Sequence, residues 1–146
     1  MLVSDAQIRI ARADEHNRVL SLYAALDYRR TIHPSDTVWI AECERDPVGI
    51  VRVAAEQGTL VLRGMRIAEK ARRQRLGTRM LQAIAEWLDG HECYCVPYPH
   101  LVGFYGQIGF AVLEPSAVPP FLTERLADYT RNGEEVILMR KPPGRS

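Results

Sequence analysis

The chain is poor in the features that would set it apart from ordinary globular proteins: three cysteines, no long apolar run, and a formal net charge of +1 over 146 residues. Cys43, Cys93 and Cys95 are odd in number, and a bridge between the last two would close a trivial loop. Reduced thiols packed as small apolar groups are therefore expected rather than a disulfide framework. Nowhere do about 18 uninterrupted apolar residues occur, as a membrane span requires. Met1-Leu2-Val3-Ser4-Asp5 opens no secretion signal, so a cytoplasmic location without a membrane partner is expected. A charge balance this close to zero supplies no general attraction to nucleic acid. The basic residues are not interleaved with aromatics as single-strand stacking requires, so no nucleic-acid partner is expected either. Repeats, low-complexity tracts and linkers are also lacking, which leaves a single domain over residues 1–146.

What is present is a composition with 47% hydrophobic and 25% charged residues, enough for a continuous core. Ile8 to Arg12 alternates like a strand, and Asp14 is positioned to cap a helix in which Val19, Leu20, Leu22, Tyr23 and Leu26 repeat with helical spacing. Thr37 to Glu42 and Val48 to Val53 read as antiparallel strands around a Glu44–Pro47 turn, and Thr59 to Ile67 as a third strand after Gly58. From Leu76 the apolar residues Met80, Leu81, Ile84, Trp87 and Leu88 form one helical stripe that ends before Gly90. Further on, the pattern predicts a strand over Glu92–Val96, a short helix over Leu101–Ile108 and a strand over Gly109–Leu113. A helix through Phe121, Leu122, Leu126 and Tyr129 follows, then a last strand over Glu135–Met139. Hairpins in the first half and strand–helix–strand connections in the second imply an α/β (α+β) fold, a mixed sheet with helices on both faces.

The richest segment is Met65 to Arg79, where an apolar strand passes through a cationic turn into an amphipathic helix. A helix start carries backbone N–H groups without intrahelical partners and a partial positive charge, so it suits a diphosphate if side chains stand clear. Gly77 gives clearance, and Arg72, Arg73 and Arg75 add charge.

With this turn and the segment Leu101-Val102-Gly103-Phe104-Tyr105-Gly106-Gln107-Ile108-Gly109-Phe110 together, the chain resembles the GNAT superfamily of acyl-CoA-dependent N-acyltransferases. That family's cofactor loop reads Arg/Gln-x-x-Gly-x-Gly/Ala. Arg72 and Gly77 match its first and last positions, while Arg75 stands where the first glycine is usual. At a positive φ such a residue costs roughly 1 kcal/mol relative to glycine. The resemblance implies a mainly antiparallel central sheet of six or seven strands, flanked by helices and splayed between the fourth and fifth. It further implies acetyl-CoA as acyl donor, no metal, an amine acceptor that is a small molecule or a peptide, and a homodimer, for which the apolar tail strand offers an edge. Met65, Ile67, Arg72, Arg73, Gln74, Arg75, Leu76, Gly77 and Thr78 are the cofactor-binding residues it implies, with the Ile67 N–H on the thioester carbonyl.

Tyr105 falls on the position that in many relatives protonates the departing thiolate, and its hydroxyl, with an ordinary pKa of about 10, holds its proton at neutral pH. Tyr98 replaces a common pantetheine-binding asparagine. Some relatives carry a glutamate where Val61 stands, so the base is open among Glu56, His100, Glu42 and water. Arg52, Arg63 and Arg66 lie near the expected acceptor cleft, and simple alternation sends Arg63 and Arg66 to opposite faces. One of them facing inward suits a carboxylate-bearing acceptor such as an amino acid. His91, Cys93 and Cys95 share a strand parity, but alternate residues are about 6.6 Å apart, which spaces them too widely for one zinc ion. A non-catalytic acyl-CoA sensor or assembly module is the alternative to an enzyme.

Overall fold

Seven strands and four α-helices form two compact units, residues 1–87 and 88–146, in a computed structural model that describes residues 5–114, 116 and 118–144. The first contains β1 (Gln7–Ile10), α1 (His16–Ala25), β2 (Thr37–Cys43), β3 (Asp46–Glu56), β4 (Thr59–Ile67) and nearly all of α2 (Leu76–Leu88). Its strands are antiparallel in the order β1-β2-β3-β4. Glu44 and Arg45 between β2 and β3, and Gln57 and Gly58 between β3 and β4, all have positive φ, the geometry of two-residue hairpin loops that match strand twist. β3 begins at Asp46, within the Glu44–Pro47 turn expected from sequence and two residues before the expected strand start at Val48. Pro47 is tolerated there because it sits at an irregularity, where Glu42 pairs with Pro47 and Ala41 with Gly49.

The two helices cover opposite faces of this sheet. Val19, Leu22 and Tyr23 of α1 pack with Val38, Ile40 and Ile50. On the other face a Cβ at Gly49 would lie 3.1 Å from Met80 Sδ and 3.4 Å from Leu76 Cδ2, so glycine lets α2 approach closely. Trp87 of α2 meets Trp39 of β2 edge to face, with ring centroids 5.2 Å apart.

Asp14 does not cap α1. A 3-10 turn over Ala13–Glu15 precedes the helix, and the carboxylate of Glu15, not Asp14, accepts the Arg12 amide at 2.9 Å. The same carboxylate accepts from Arg9 at 2.7 and 2.9 Å and from Arg18 at 3.0 Å, while both arginines also donate to Glu42. This network ties β1, the start of α1 and β2 together. At its other end α1 closes with a left-handed Asp27: the Asp27 amide donates to the Ala24 carbonyl and the Tyr28 amide to the Tyr23 carbonyl. That reversal lays the Tyr28 ring against Tyr23, with centroids 4.6 Å apart.

The second unit holds β5 (Cys93–Cys95), α3 (Val102–Gly106), β6 (Ala111–Val112), α4 (Pro120–Arg131) and β7 (Met139–Lys141). Its strands are antiparallel in the order β5-β7-β6. The tail strand therefore differs from expectation twice. It starts at Met139 instead of ending there, because the residues in register with Cys95 and Cys93 are Met139 and Lys141. It is also no edge strand, being paired on both sides, and β6, with Val112 exposed, is the edge of this group.

Candidate active site

β4 departs from regular pleating at its most consequential point. Arg52 pairs with Arg63 but Ile50 pairs with Arg66, so β4 carries one extra residue between these pairs. Gly64, at φ +67, lies in the extra stretch. Because paired residues share a face, the bulge resets the alternation and puts Arg52, Arg63 and Arg66 on the same side, the face covered by α1. The expectation that Arg63 and Arg66 point to opposite faces fails for this reason.

Beyond the bulge, Gly49 faces Ile67, and the next pair is joined by a bond from the Ala68 amide to the Val48 carbonyl at 2.8 Å. Antiparallel pairs alternate between bonded and non-bonded, so the Ile67 amide and carbonyl turn away from β3. The carbonyl accepts the Arg72 Nε at 3.1 Å, which fastens the strand end to the cationic loop. A 3-10 turn over Glu69–Ala71 leads into that loop, with Ala71 buried beneath it. Arg73 and Arg75 both adopt left-handed φ, +65 and +62, so the backbone at Arg75 has the conformation that a glycine would take most easily. The side chains of Arg72, Arg73, Gln74 and Arg75 are exposed. Gln74 Nε2 reaches the Lys70 carbonyl at 3.3 Å. α2 starts directly after Arg75, whose carbonyl accepts the Arg79 amide at 3.2 Å. Leu76 and Gly77 are thus first-turn residues whose amides have no intrahelical acceptor, and Thr78 completes that turn. Met65 precedes Arg66, and its carbonyl accepts Arg66 Nη1 at 3.0 Å.

In the second unit, Tyr105 sits in α3, buried between two rings: Phe104 and Phe110 both meet it edge to face at 5.0 and 6.1 Å. Gly109, at φ +102, makes the turn that returns Phe110 to this cluster. Tyr98 stands exposed, stacked on His100 with centroids 6.1 Å apart and its hydroxyl 3.5 Å from Glu134.

Among the possible bases, Glu42 is engaged by Arg9 and Arg18, and although partial burial opposes it, these guanidinium groups hold its carboxyl below the usual range. A carboxylate so stabilised is a poor base. Glu56 accepts Arg63 Nη1 at 3.2 Å, Val61 is buried in β4, and His100 is exposed. His91 Nδ1 lies 2.7 Å from the Leu88 carbonyl, and Cys93 and Cys95 are buried. Burial pushes the Cys95 thiol well above its ordinary range, and the neighbouring Cys93 adds to this. No group of three or more His, Cys, Asp or Glu among the described residues is arranged to hold a metal ion. No helix among them is long and apolar enough to cross a membrane.

Periodicity did not anticipate the surroundings of Arg52. This fully buried side chain donates from Nε to Asp36 at 3.1 Å, from Nη1 to the Tyr28 hydroxyl at 2.8 Å and from Nη2 to the Thr31 carbonyl at 3.2 Å. Its guanidinium lies over the Tyr23 and Tyr28 rings, 5.4 and 5.1 Å from their centroids. Arg66 joins from β4, 4.8 Å from the Tyr28 centroid. Burial raises the Tyr23 hydroxyl well above its ordinary pKa, and among the described residues the hydroxyl has no hydrogen-bond partner of acceptable geometry despite the guanidinium beside it. Tyr23, Tyr28 and Asp36 come from a helix, its exit and a distant loop, a combination with no sequence spacing to betray it.

The profile of the acetyltransferase (GNAT) domain matches residues 34–112. A probable N-acetyltransferase from Xenopus laevis, camello, is 28% identical over 116 residues, which span 72% of this chain and 52% of that protein. The chain thus spans about half the length of this curated relative. Among solved structures, N-acetylglutamate synthase from Neisseria gonorrhoeae, complexed with coenzyme A and N-acetyl-glutamate, aligns with a TM-score of 0.70 at 18% identity. That alignment covers 96% of this chain and 35% of the synthase. The ribosomal-protein-S18-alanine N-acetyltransferase from Escherichia coli aligns with a TM-score of 0.69 at 12% identity, over 97% of this chain and 96% of that enzyme. At such identities the likeness establishes the mixed α/β fold.

Proposed function

Because the chain belongs to the GNAT acetyltransferase family, we propose that it is an acetyl-CoA-dependent N-acetyltransferase acting on the primary amine of a small molecule or a peptide. The observation that carries this reading is the junction of β4, the cationic loop and α2. Left-handed Arg73 and Arg75 deliver a cluster of exposed guanidinium groups to the first turn of a thirteen-residue helix, an arrangement that attracts a diphosphate through both charge and amide donors. Arg72, Arg73, Gln74, Arg75, Leu76, Gly77 and Thr78 hold the nucleotide end in this reading, and Met65 and Ile67 the thioester end.

Ile67 donates its amide N–H to the thioester carbonyl and stabilises the negative charge that develops there. The amine nitrogen attacks the carbonyl carbon directly in a ternary complex; the C–N bond forms and the C–S bond breaks without a covalent enzyme intermediate. Tyr105 gives its phenolic proton to the departing thiolate, and the proton lost by the amine leaves through water. The engagement of Glu42 and Glu56 with arginines supports that water route. Arg75 at the usual glycine position and Tyr98 at the usual asparagine favour a second reading, an acyl-CoA-binding module without turnover.

Isothermal titration with acetyl-CoA, paired with thiol release over a panel of amines, separates the readings. Binding with amine-dependent thiol release is expected. Binding without release over the whole panel selects the module, and absence of binding refutes both.

A further inference from the structure

Arg66 and the Tyr28 hydroxyl lie side by side on β4 and at the exit of α1, and among the described residues neither donates to a carboxylate. The Tyr28 hydroxyl accepts from Arg52 Nη1 at 2.8 Å, so its own proton is directed to another acceptor. Arg52 cannot compete for that acceptor, since it is fully buried and its guanidinium is shared among Asp36, Tyr28 and the Thr31 carbonyl. Asp36 balances its charge. Arg63 is likewise balanced, by Glu56. Arg66 differs: it is exposed, rests on the Tyr28 ring 4.8 Å from the centroid, donates only to the Met65 carbonyl, and forms no ion pair among the described residues. Among the described residues, the site carries one positive charge without an ion-pair partner on an aromatic platform, beside a hydroxyl that accepts from Arg52.

The platform is held at a cost. Tyr23, fully buried beneath it, leaves its hydroxyl without a hydrogen-bond partner among the described residues, a burden of about 1–3 kcal/mol for a buried polar group. Gly64 is the only residue type that fits the bulge, because a Cβ there would lie 2.5 Å from Arg52 Nη1 and 2.8 Å from the Tyr23 hydroxyl. Such expense at one spot accords with a binding role more than with a stabilising one.

We propose that Arg66 and the Tyr28 hydroxyl bind the carboxylate of the acceptor, so that the substrate is a small amine bearing a carboxylate, an amino acid, and these two residues determine specificity. Placement supports this. Arg66 is the chain neighbour of Ile67, about 3.8 Å away between Cα atoms, and a planar carboxylate matches a guanidinium and a hydroxyl donor. The inference rests on the acetyltransferase reading for the role of Ile67, but carboxylate recognition is testable without turnover.

The test uses the intact chain and the standard L-amino acids, each compared with its α-carboxamide, in equilibrium titrations with and without acetyl-CoA. At least one amino acid is expected to bind tenfold or more tightly than its amide. R66Q should erase that preference, Arg66→Lys should restore part of it, and the affinity for acetyl-CoA should stay unchanged in both. Arg66 is exposed, so these variants fold; Tyr28→Phe, which removes the second donor, is read alongside them by its loss of preference at unchanged acetyl-CoA affinity. Equal binding of acid and amide, binding of neither, or a preference that survives R66Q overturns the proposal. Thiol release is measured on the same pairs. Discrimination without release sinks the catalytic reading and upholds carboxylate recognition, whereas release without discrimination does the reverse.

Discussion

Replacing Gly64 by alanine is the perturbation whose outcome follows most directly from the geometry. At φ +67 any Cβ costs about 1 kcal/mol. The new methyl would also stand 2.5 Å from Arg52 Nη1, 2.8 Å from the Tyr23 hydroxyl and 3.1 Å from Tyr28 Cζ. The far end of an arginine usually swings aside, but this one is fully buried and donates to three partners, so moving it strains or breaks the bond to Tyr28. Overpacking of this kind costs about 1–3 kcal/mol, which brings the expected loss to about 2–4 kcal/mol. Gly58 supplies the control: it too has positive φ, +77, but a Cβ there meets nothing within 4 Å. Gly58→Ala should therefore lose only the backbone cost, about 1 kcal/mol. Urea unfolding followed by tryptophan fluorescence measures both, since Trp39 and Trp87 both lie in the same unit as the two glycines. If the two variants agree within about 0.5 kcal/mol, the packing argument at the bulge is wrong.

Two other predictions concern separate parts of the molecule. Hydrogen bonds from Arg9, then from the Arg12 amide and Arg18, hold the Glu15 carboxyl far below the usual carboxylate range despite its burial. A depressed folded-state pKa means the stabilisation is complete above the unfolded value of about 4.3 and is lost as pH falls through the lower folded value. Glu15→Gln should cost about 2 kcal/mol at pH 7, with the gap to wild type narrowing below about pH 4; a gap that stays constant in urea titrations at neutral and acid pH would refute the assignment. Tyr105→Phe keeps both edge-to-face ring contacts, so the fold should persist. Its kcat should fall about 100-fold, the scale of a lost general acid, with acetyl-CoA affinity unchanged; full kcat in steady-state assays would remove Tyr105 from the mechanism.

Much of the architecture was legible because it depends on local patterning. β4 spans Thr59–Ile67 and α2 spans Leu76–Leu88, as alternation and the apolar stripe indicated. The left-handed backbone at Arg75 likewise accords with its place in a loop that usually carries glycine there. The tail strand was displaced, from Glu135–Met139 to Met139–Lys141. A short apolar run can be read in several registers, and the partners on both sides, not the run itself, select one. Glu15 instead of Asp14 stands at the start of α1, and its carboxylate turns back to the Arg12 amide and to the Arg9 and Arg18 guanidinium groups and caps no amide of the helix.

Sequence by itself determined the order of elements, the cationic entry to α2 and the short helix that carries Tyr105, since each is written in residues close together along the chain. Only the tertiary structure decided the faces of Arg63 and Arg66, because one extra residue in a bulge inverts a period-two count. It also decided that Arg52 is paired with a carboxylate and that Arg66, among the described residues, is not. That difference depends on Asp36 and Glu56 finding Arg52 and Arg63, and the ion pairs form across folds of the chain that no local spacing records.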